Sequence, residues 1–402
     1  MATIQARQPK HSRVAEQIRK RIRDGKYSPG ATLPGRRMLS AEYDAAPLTI
    51  QNAIDELVAE GLLRTENGRG TFVAGGVDGG ATPVVSPGLV GILARAWCDN
   101  WDEPGSENAA VVKSAERAIA AHAGTSVCQN IHRRDGSRIR LAEGLHALLD
   151  QGVTGVVVVH EEDREQIDEC LSDPALAKLP IVFAVGQDLA LPVSTAYYDN
   201  FHWGELAAEH LIGKGCRRIL AFSPYGISWA IDRASGARDG VKAAGLPDYA
   251  FTSIIGDGLV GDGIRAPFHS DPQYYQDSFD FAEQMLAGDF PYDAVLAAND
   301  SIAIGLRDAL RRKGLEPGRD YALMGFDDKN SARLAGLTSI QLPNERLGRR
   351  AAHLLCRLIA GEPGPINIKV PGHVIARQST DLPAIAGVGI GRGPSPESPR
   401  IS

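Results

Sequence analysis

Glu60-Gly61-Leu62-Leu63-Arg64-Thr65-Glu66-Asn67-Gly68-Arg69-Gly70-Thr71-Phe72-Val73 reads as a β-hairpin. A short apolar strand runs into Asn67-Gly68, a dipeptide that tolerates positive φ, and Thr71-Phe72-Val73 returns. At its tip Arg69 stands between Gly68 and Gly70, so a cation can approach a phosphate or a minor groove with little bulk around it. Upstream, the run from Thr49 to Val58 places Ile50, Ala53, Ile54, Leu57 and Val58 on one helical stripe and leaves Thr49, Gln51 and Asn52 on or near the outer face. Before it lies Leu33-Pro34-Gly35-Arg36-Arg37-Met38-Leu39. Together these pieces predict a winged helix-turn-helix, a unit that binds DNA.

The stretch from residue 10 to 73 resembles the DNA-binding domain of the GntR (gluconate repressor) family. The resemblance rests on the helix Val14-Ala15-Glu16-Gln17-Ile18-Arg19, the turn Gly25-Lys26-Tyr27-Ser28-Pro29-Gly30, the Leu33-Pro34 step and the hairpin, in family order. In that family an Arg shortly after Leu-Pro grips the DNA backbone, and the resemblance gives that role to Arg37, with Arg36 beside it. Thr49, Gln51, Asn52, Arg69 and Gly70 complete the DNA-facing candidates. Two departures stand out: Gly35-Arg36 replaces the family's Ser-Glu, and Ala46-Pro47 replaces its Ser-Arg at the start of the recognition helix. Pro47 suits the first turn of a helix, where its missing N–H is not needed. With no Arg there, the operator sequence does not carry over from the family.

Charge divides the chain in the same place. Residues 1–73 hold 12 Lys+Arg against 8 Asp+Glu, whereas the remaining 329 hold 31 against 41, within a whole-chain net of −6. Only the head suits a polyanion electrostatically. Arg19, Lys20, Arg21 and Arg23 taken alone read equally well as a solvated helix face.

A length of 402 residues is enough for two or three domains with real cores. The first ten residues, from Met1 to Lys10, contain no apolar export segment, and no run of about 18 apolar residues follows, so a cytoplasmic protein without membrane partners is expected. The five cysteines, Cys98, Cys128, Cys170, Cys216 and Cys356, are scattered and form no Cys-x-x-Cys pair, which predicts neither a disulfide framework nor a metal site. Residues 74–88, rich in Gly and Pro, read as a linker, and residues 384–402 as a disordered tail.

Between linker and tail, over residues 89–383, apolar β-branched runs alternate with helical patterns. Leu89 to Leu93 precedes a helix near Ser106 to Ala123; Gly155 to Val159 precedes one near Glu162 to Leu171; Ile181 to Val185, Arg218 to Phe222 and Ala294 to Ala297 are further strands, the last two leading into helices at Ala230 to Ala244 and Ser301 to Lys313. This α/β pattern predicts doubly wound parallel sheets. Its length favours two lobes with a cleft between them as the default small-molecule site.

This region resembles the effector-binding domain of the LacI/GalR (lactose and galactose repressor) family, whose two-lobed fold is shared with periplasmic binding proteins. The residues that carry the resemblance are Asp232-Arg233-Ala234-Ser235-Gly236, the run Ala297-Ala298-Asn299-Asp300-Ser301 to Gly305, Met324-Gly325-Phe326-Asp327-Asp328, Leu337-Thr338-Ser339-Ile340, and Val374 to Thr380. It implies that Arg233, Asn299 and Asp327 hold the effector, expected to be a sugar. Arg233 offers a planar fork of donors, Asn299 an amide and Asp327 a carboxylate, a trio able to bond adjacent hydroxyls. An N-cap for Asn299 or Asp300 and a surface ion pair for Arg233 are the plainer readings. Among aromatics able to stack on a ligand ring, which include Trp101, Trp229 and Tyr275, the family points to Trp97 and Tyr274, with Phe326 a third candidate. Asp199 matches another family carboxylate and equally suits an N-cap.

Gly256-Asp257-Gly258-Leu259-Val260-Gly261 imitates a dinucleotide fingerprint after the strand Phe251 to Ile255, but Asp262 to Pro267 cannot open the helix that fingerprint needs, so it reads as a glycine-rich loop. His160-Glu161-Glu162-Asp163 fits the start of a helix better than a metal site. No nucleophilic triad, His-Glu-x-x-His or P-loop pattern stands out, so neither catalytic residues nor a cofactor is expected. A GntR-type head joined to a LacI-type sensor is the arrangement of arabinose-responsive repressors. The expectation is a homodimeric, ligand-responsive repressor of carbohydrate-utilisation genes bound to a double-stranded operator; the alternative is a sensor that has lost sugar binding and answers to another metabolite or a protein partner.

Overall fold

The computed structural model describes residues 10–28, 30–45, 47–59, 62–66, 70–73, 86–94, 107–131, 137–160, 163–256 and 271–383. Two compact units divide the chain, Met1–Val85 and Ser86–Ser402.

In the first unit, α1 (Lys10–Arg23), α2 (Arg36–Glu42) and α3 (Pro47–Ala59) precede β1 (Leu63–Glu66) and β2 (Gly70–Val73). Proline opens α3 because the first helical position asks nothing of its missing N–H. The periodic apolar positions form the core: Ile50, Ala53, Ile54 and Leu57 of α3 meet Val14, Ala15 and Ile18 of α1, with Leu39 from α2 and Leu63 and Val73 from the hairpin. Leu63 pairs with Val73 and Glu66 with Gly70. Ahead of α2, the Leu33-Pro34 step is stitched to the returning strand by Leu33 N–H to the Thr71 carbonyl at 2.7 Å and Val73 N–H to the Ala31 carbonyl at 2.8 Å. The wing is thereby fixed to the segment that launches α2.

The second unit begins with β3 (Leu89–Ala94), α4 (Glu107–Ala121), β4 (Thr125–Asn130), α5 (Leu141–Leu149), β5 (Gly155–Val159), α6 (Arg164–Ser172), β6 (Ile181–Val185) and β7 (Ser194–Tyr198). It continues with α7 (Asn200–Gly213), β8 (Ile219–Ser223), α8 (Ser228–Ala243), β9 (Phe251–Ile255), α9 (Asp271–Met285), β10 (Ala294–Ala297), α10 (Asp300–Arg312), β11 (Ala322–Asp327), α11 (Asn330–Leu334) and β12 (Thr338–Gln341). Last come α12 (Asn344–Ile359), β13 (Asn367–Val370) and β14 (His373–Ile375). Among the described residues these strands form two six-stranded sheets, ordered β13-β7-β6-β5-β3-β4 and β14-β12-β11-β10-β8-β9, parallel except for β14 against β12. Continuous apolar runs such as Gly155–Val159 are buried along their whole length because helices cover both faces.

The chain passes between the sheets three times. It leaves β7 for α7, which packs on α8 beside the second sheet; it returns from β12 to α12, which packs on α4 over the first; and it crosses again between β13 and β14. The first of these crossings places Asp199 and Asn200 at the junction of the two lobes.

Backbone contact sets the α7–α8 geometry. A Cβ added at Gly204 would lie 2.0 Å from the Arg233 carbonyl oxygen, and one at Gly236 would lie 1.8 Å from that of Phe201. The helix carrying Arg233 is thus seated directly on the helix carrying Asn200.

Candidate functional site

Arg233 lies on α8 and is only 6% exposed, a position that a guanidinium tolerates only with its donors used. Its Nε donates to Asn200 Oδ1 at 3.0 Å and its Nη1 to the Ala298 carbonyl, just after β10, at 2.6 Å. Aromatic rings box it in, with centroids at 4.5 Å for Phe326, 4.8 Å for Trp229 and 5.5 Å for Trp203. Ring faces attract a cation whose water has been removed, and a planar guanidinium fits between them where an ammonium would not.

Asp327 ends β11 within 4.0 Å of Arg233 Nη1 and 3.8 Å of Lys329 Nζ. Its backbone is left-handed at φ 111°, as is Asp328 at φ 59°, so two consecutive L residues occupy a region that costs each of them energy. Asp328, beneath the loop, holds it there: its carboxylate accepts from Arg377, from Arg333 at 3.0 Å and from Gln341 at 2.9 Å. Asp300 supplies a second brace, with Lys329 N–H donating to one of its oxygens at 2.9 Å and Ser339 Oγ to the other at 2.7 Å. Burial holds the Asp300 carboxyl well above the ordinary carboxylate range, and the charge of Asp327 pushes it the same way.

Asn299 caps α10, its Oδ1 accepting from Ile302 N–H at 2.8 Å, so what it can offer a ligand is its amide nitrogen. Asp199 occupies the N-cap position of α7 but makes no capping bond; it pairs instead with Lys369 at 3.3 Å. Arg233, Ala298 and Phe326 border a small cavity with Phe222, Ser223 and Ala230. It lies at the carboxyl ends of the parallel strands, where open α/β sheets bind ligands. A second groove, beside the amino ends of β6 and β7, is lined by Leu171, Leu176, Pro192 and Leu358 together with Lys178, Ser194 and Glu362.

The structure brings Arg233, Asp327 and Phe326 together, and Asn299 adjoins Ala298. Phe326, expected to stack on a ligand, is wholly buried, with its ring beneath the Arg233 guanidinium at the border of the small cavity. Tyr274 sits edge-on to Tyr225 at 5.5 Å, just beyond the end of β8. Trp97, Trp101 and Arg69 lie outside the described residues. Arg36 and Arg37 open α2, and Thr49, Gln51 and Asn52 lie in the first turns of α3, but the side chains of Arg36, Arg37 and Asn52 are outside the described set. Gly70 starts β2 with φ 119°, a conformation that suits glycine. Gln51 is less outward than its spacing suggests, since its Oε1 is buried. Asn200 and Trp203 were not singled out from the sequence, although they follow Asp199 and stand three apart on one face of α7.

Among the described residues no helix is long and apolar enough to cross a membrane, and no group of three or more His, Cys, Asp or Glu could hold a metal ion.

Residues 10–73 match the gntR family of bacterial regulatory proteins, and residues 208–380 match the periplasmic binding protein-like domain. The HTH-type transcriptional regulator CelR of Thermobifida fusca is 29% identical over 240 residues, covering 58% of this chain and 65% of the relative, just under two thirds of its length. The arabinose metabolism transcriptional repressor of Geobacillus stearothermophilus is 22% identical over 371 residues, which cover 87% of this chain and 91% of that one. Among solved structures, a CelR–cellobiose complex aligns with TM-score 0.54 and 21% identity over 86% of this chain and all of that chain, a likeness of fold. The chain therefore joins a head of the gntR family of bacterial regulatory proteins to a periplasmic binding protein-like domain, in the manner of a GntR–LacI fusion.

Proposed function

We propose that the chain is a one-component transcription regulator, not an enzyme, whose affinity for a double-stranded operator is changed by a sugar bound beside Arg233, Asn299 and Asp327. The carrying observation is the Arg233–Asp327 pair, a donor fork from α8 and a carboxylate at the end of β11 within 4.0 Å, with aromatic rings around the fork. Vicinal hydroxyls bond such a pair in both directions, each donating to the carboxylate and accepting from the guanidinium. A homodimer would present two heads to half-sites related by a two-fold axis, with Arg37 and Arg69 on phosphate or groove and Thr49, Gln51 and Asn52 nearer the bases. Sugar binding closes the lobes, changes the dimer arrangement and so the spacing of the heads, and relief of repression is the expected sign. The relatives lend support, being named as transcriptional regulators or repressors, one of arabinose metabolism and one solved with cellobiose.

Paired variants of the full chain test this reading. Arg37→Ala is expected to weaken DNA retention in a gel-shift assay on the chain's own promoter region at least tenfold while leaving sugar affinity unchanged, and Arg233→Ala to do the reverse; about 1.4 kcal/mol per tenfold makes either loss easy to read. Equal damage to both activities by either variant would refute the division of labour.

A further inference from the structure

Asn200 is a buried amide, 2% exposed, at the first position of α7. Its Oδ1 accepts from Arg233 Nε at 3.0 Å, and its Nδ2 donates to the Gly186 carbonyl at 2.8 Å. A guanidinium only donates and a carbonyl only accepts, so these partners fix which end of the amide faces which way. They also belong to different lobes, since Gly186 follows β6 in the first sheet and Arg233 rides on α8 beside the second. A parallel tie runs next to it, from Ser228 Oγ at the start of α8 to Gln187 Oε1, the residue after Gly186.

We propose that Asn200 is a positioning residue that couples the Arg233 guanidinium of the second lobe to the Gly186 carbonyl of the first, so that where the guanidinium sits sets how the two lobes are held. The functional meaning of this coupling rests on reading Arg233 as the ligand-holding group. A ligand that bonds the guanidinium turns its plane, and Nε can no longer donate squarely to Asn200. The amide then follows one lobe or the other. No other side chain of this size fills the role: aspartate keeps an acceptor for Arg233 but has no donor for Gly186, and leucine has neither.

The test needs no ligand. Hydrogen exchange of the segment 181–203 is measured in the full chain for the wild type, Asn200→Asp, Arg233→Lys and the double variant. Lysine at 233 keeps the charge and loses the Nε donor; Arg233→Gln serves if the lysine variant does not fold. Each single change is expected to speed exchange in 181–203 about tenfold, as for one lost hydrogen bond, and the double variant no further, because both break one chain of bonds. The proposal is overturned if Arg233→Lys leaves 181–203 at the wild-type rate while Asn200→Asp speeds it, which makes Asn200 a local tie of its own helix, or if the two effects add. A chain that binds no sugar at all would undo the functional reading and leave these rates, and the coupling they report, unaffected.

Discussion

Asp300 is wholly buried, and its two oxygens accept one bond from Lys329 N–H in the loop after Asp327 and one from Ser339 Oγ on β12. Its carboxyl titrates well above an ordinary aspartate because burial penalises the charge. A group whose folded pKa is raised contributes stability that is fully present below its unfolded value near 3.9 and is lost as pH rises through the folded value. Asp300→Asn, neutral at every pH, is therefore expected to abolish a decline in the melting temperature that the wild type shows as pH rises above about 4. Asp300→Leu instead strands the Lys329 N–H and the Ser339 hydroxyl, and should cost about 2–4 kcal/mol in urea denaturation. Equal behaviour of the two variants would show that these bonds do not hold the loop.

Helix against helix, the molecule depends on positions where a side chain will not fit. A Cβ at Gly348 of α12 would stand 2.0 Å from the Val111 carbonyl oxygen on α4, and one at Gly236 of α8 would meet α7 as closely. Gly236→Ala should force α8 off α7, costing about 2 kcal/mol or more and carrying Arg233 away from Asp327, so that unfolding midpoint and ligand affinity fall together. Where α4 meets α12, His353 Nδ1 lies 2.9 Å from Nε2 of His122, the residue after α4. Burial, reinforced by His122, Arg349 and Arg350, lowers His353 to about 4. Here the sign is opposite: the unfolded chain takes up the proton first, so stability present above about 6.5 is lost as pH falls towards 4, by about 2 kcal/mol after allowing for partial exposure. His353→Gln is expected to flatten that acid limb in thermal scans between pH 6.5 and 4, and an unchanged limb would place the sensitivity elsewhere.

On the scale of the whole chain, much was legible because periodicity and turn chemistry are local. The stripe Ile50, Ala53, Ile54, Leu57 and the strand Gly155–Val159 declared their burial by spacing alone, and Pro47 marked the first turn of its helix. Arg233, Asn299 and Asp327, proposed to hold the ligand, stand out because each sits in a recognisable motif, the last two at the carboxyl ends of β10 and β11. What eluded the sequence depends on residues that meet only in the fold. Asn200 lies 14 positions from Gly186 and 33 from Arg233, and nothing in either interval marks the meeting. Phe326 stood out as an aromatic at a strand end; the structure adds that its ring is buried beneath the Arg233 guanidinium, at the border of the small cavity. Asn299 is an N-cap, as its plainer reading had it, with the cap bond on its oxygen; its amide nitrogen is the part proposed to meet a ligand.

Sugar binding at Arg233 is read by a thermal-shift screen of the full chain against pentoses, hexoses, cellobiose and other oligosaccharides, sugar phosphates and nucleosides, with Arg233→Ala carried through the same plate. A ligand present at about 100 times its dissociation constant adds roughly 2.7 kcal/mol to the unit that binds it. The expected result is a sugar that raises the melting temperature of the wild type and leaves Arg233→Ala unmoved. A sugar that stabilises both equally would place the site elsewhere, and a panel without any stabilising sugar would contradict the sugar-sensing reading itself.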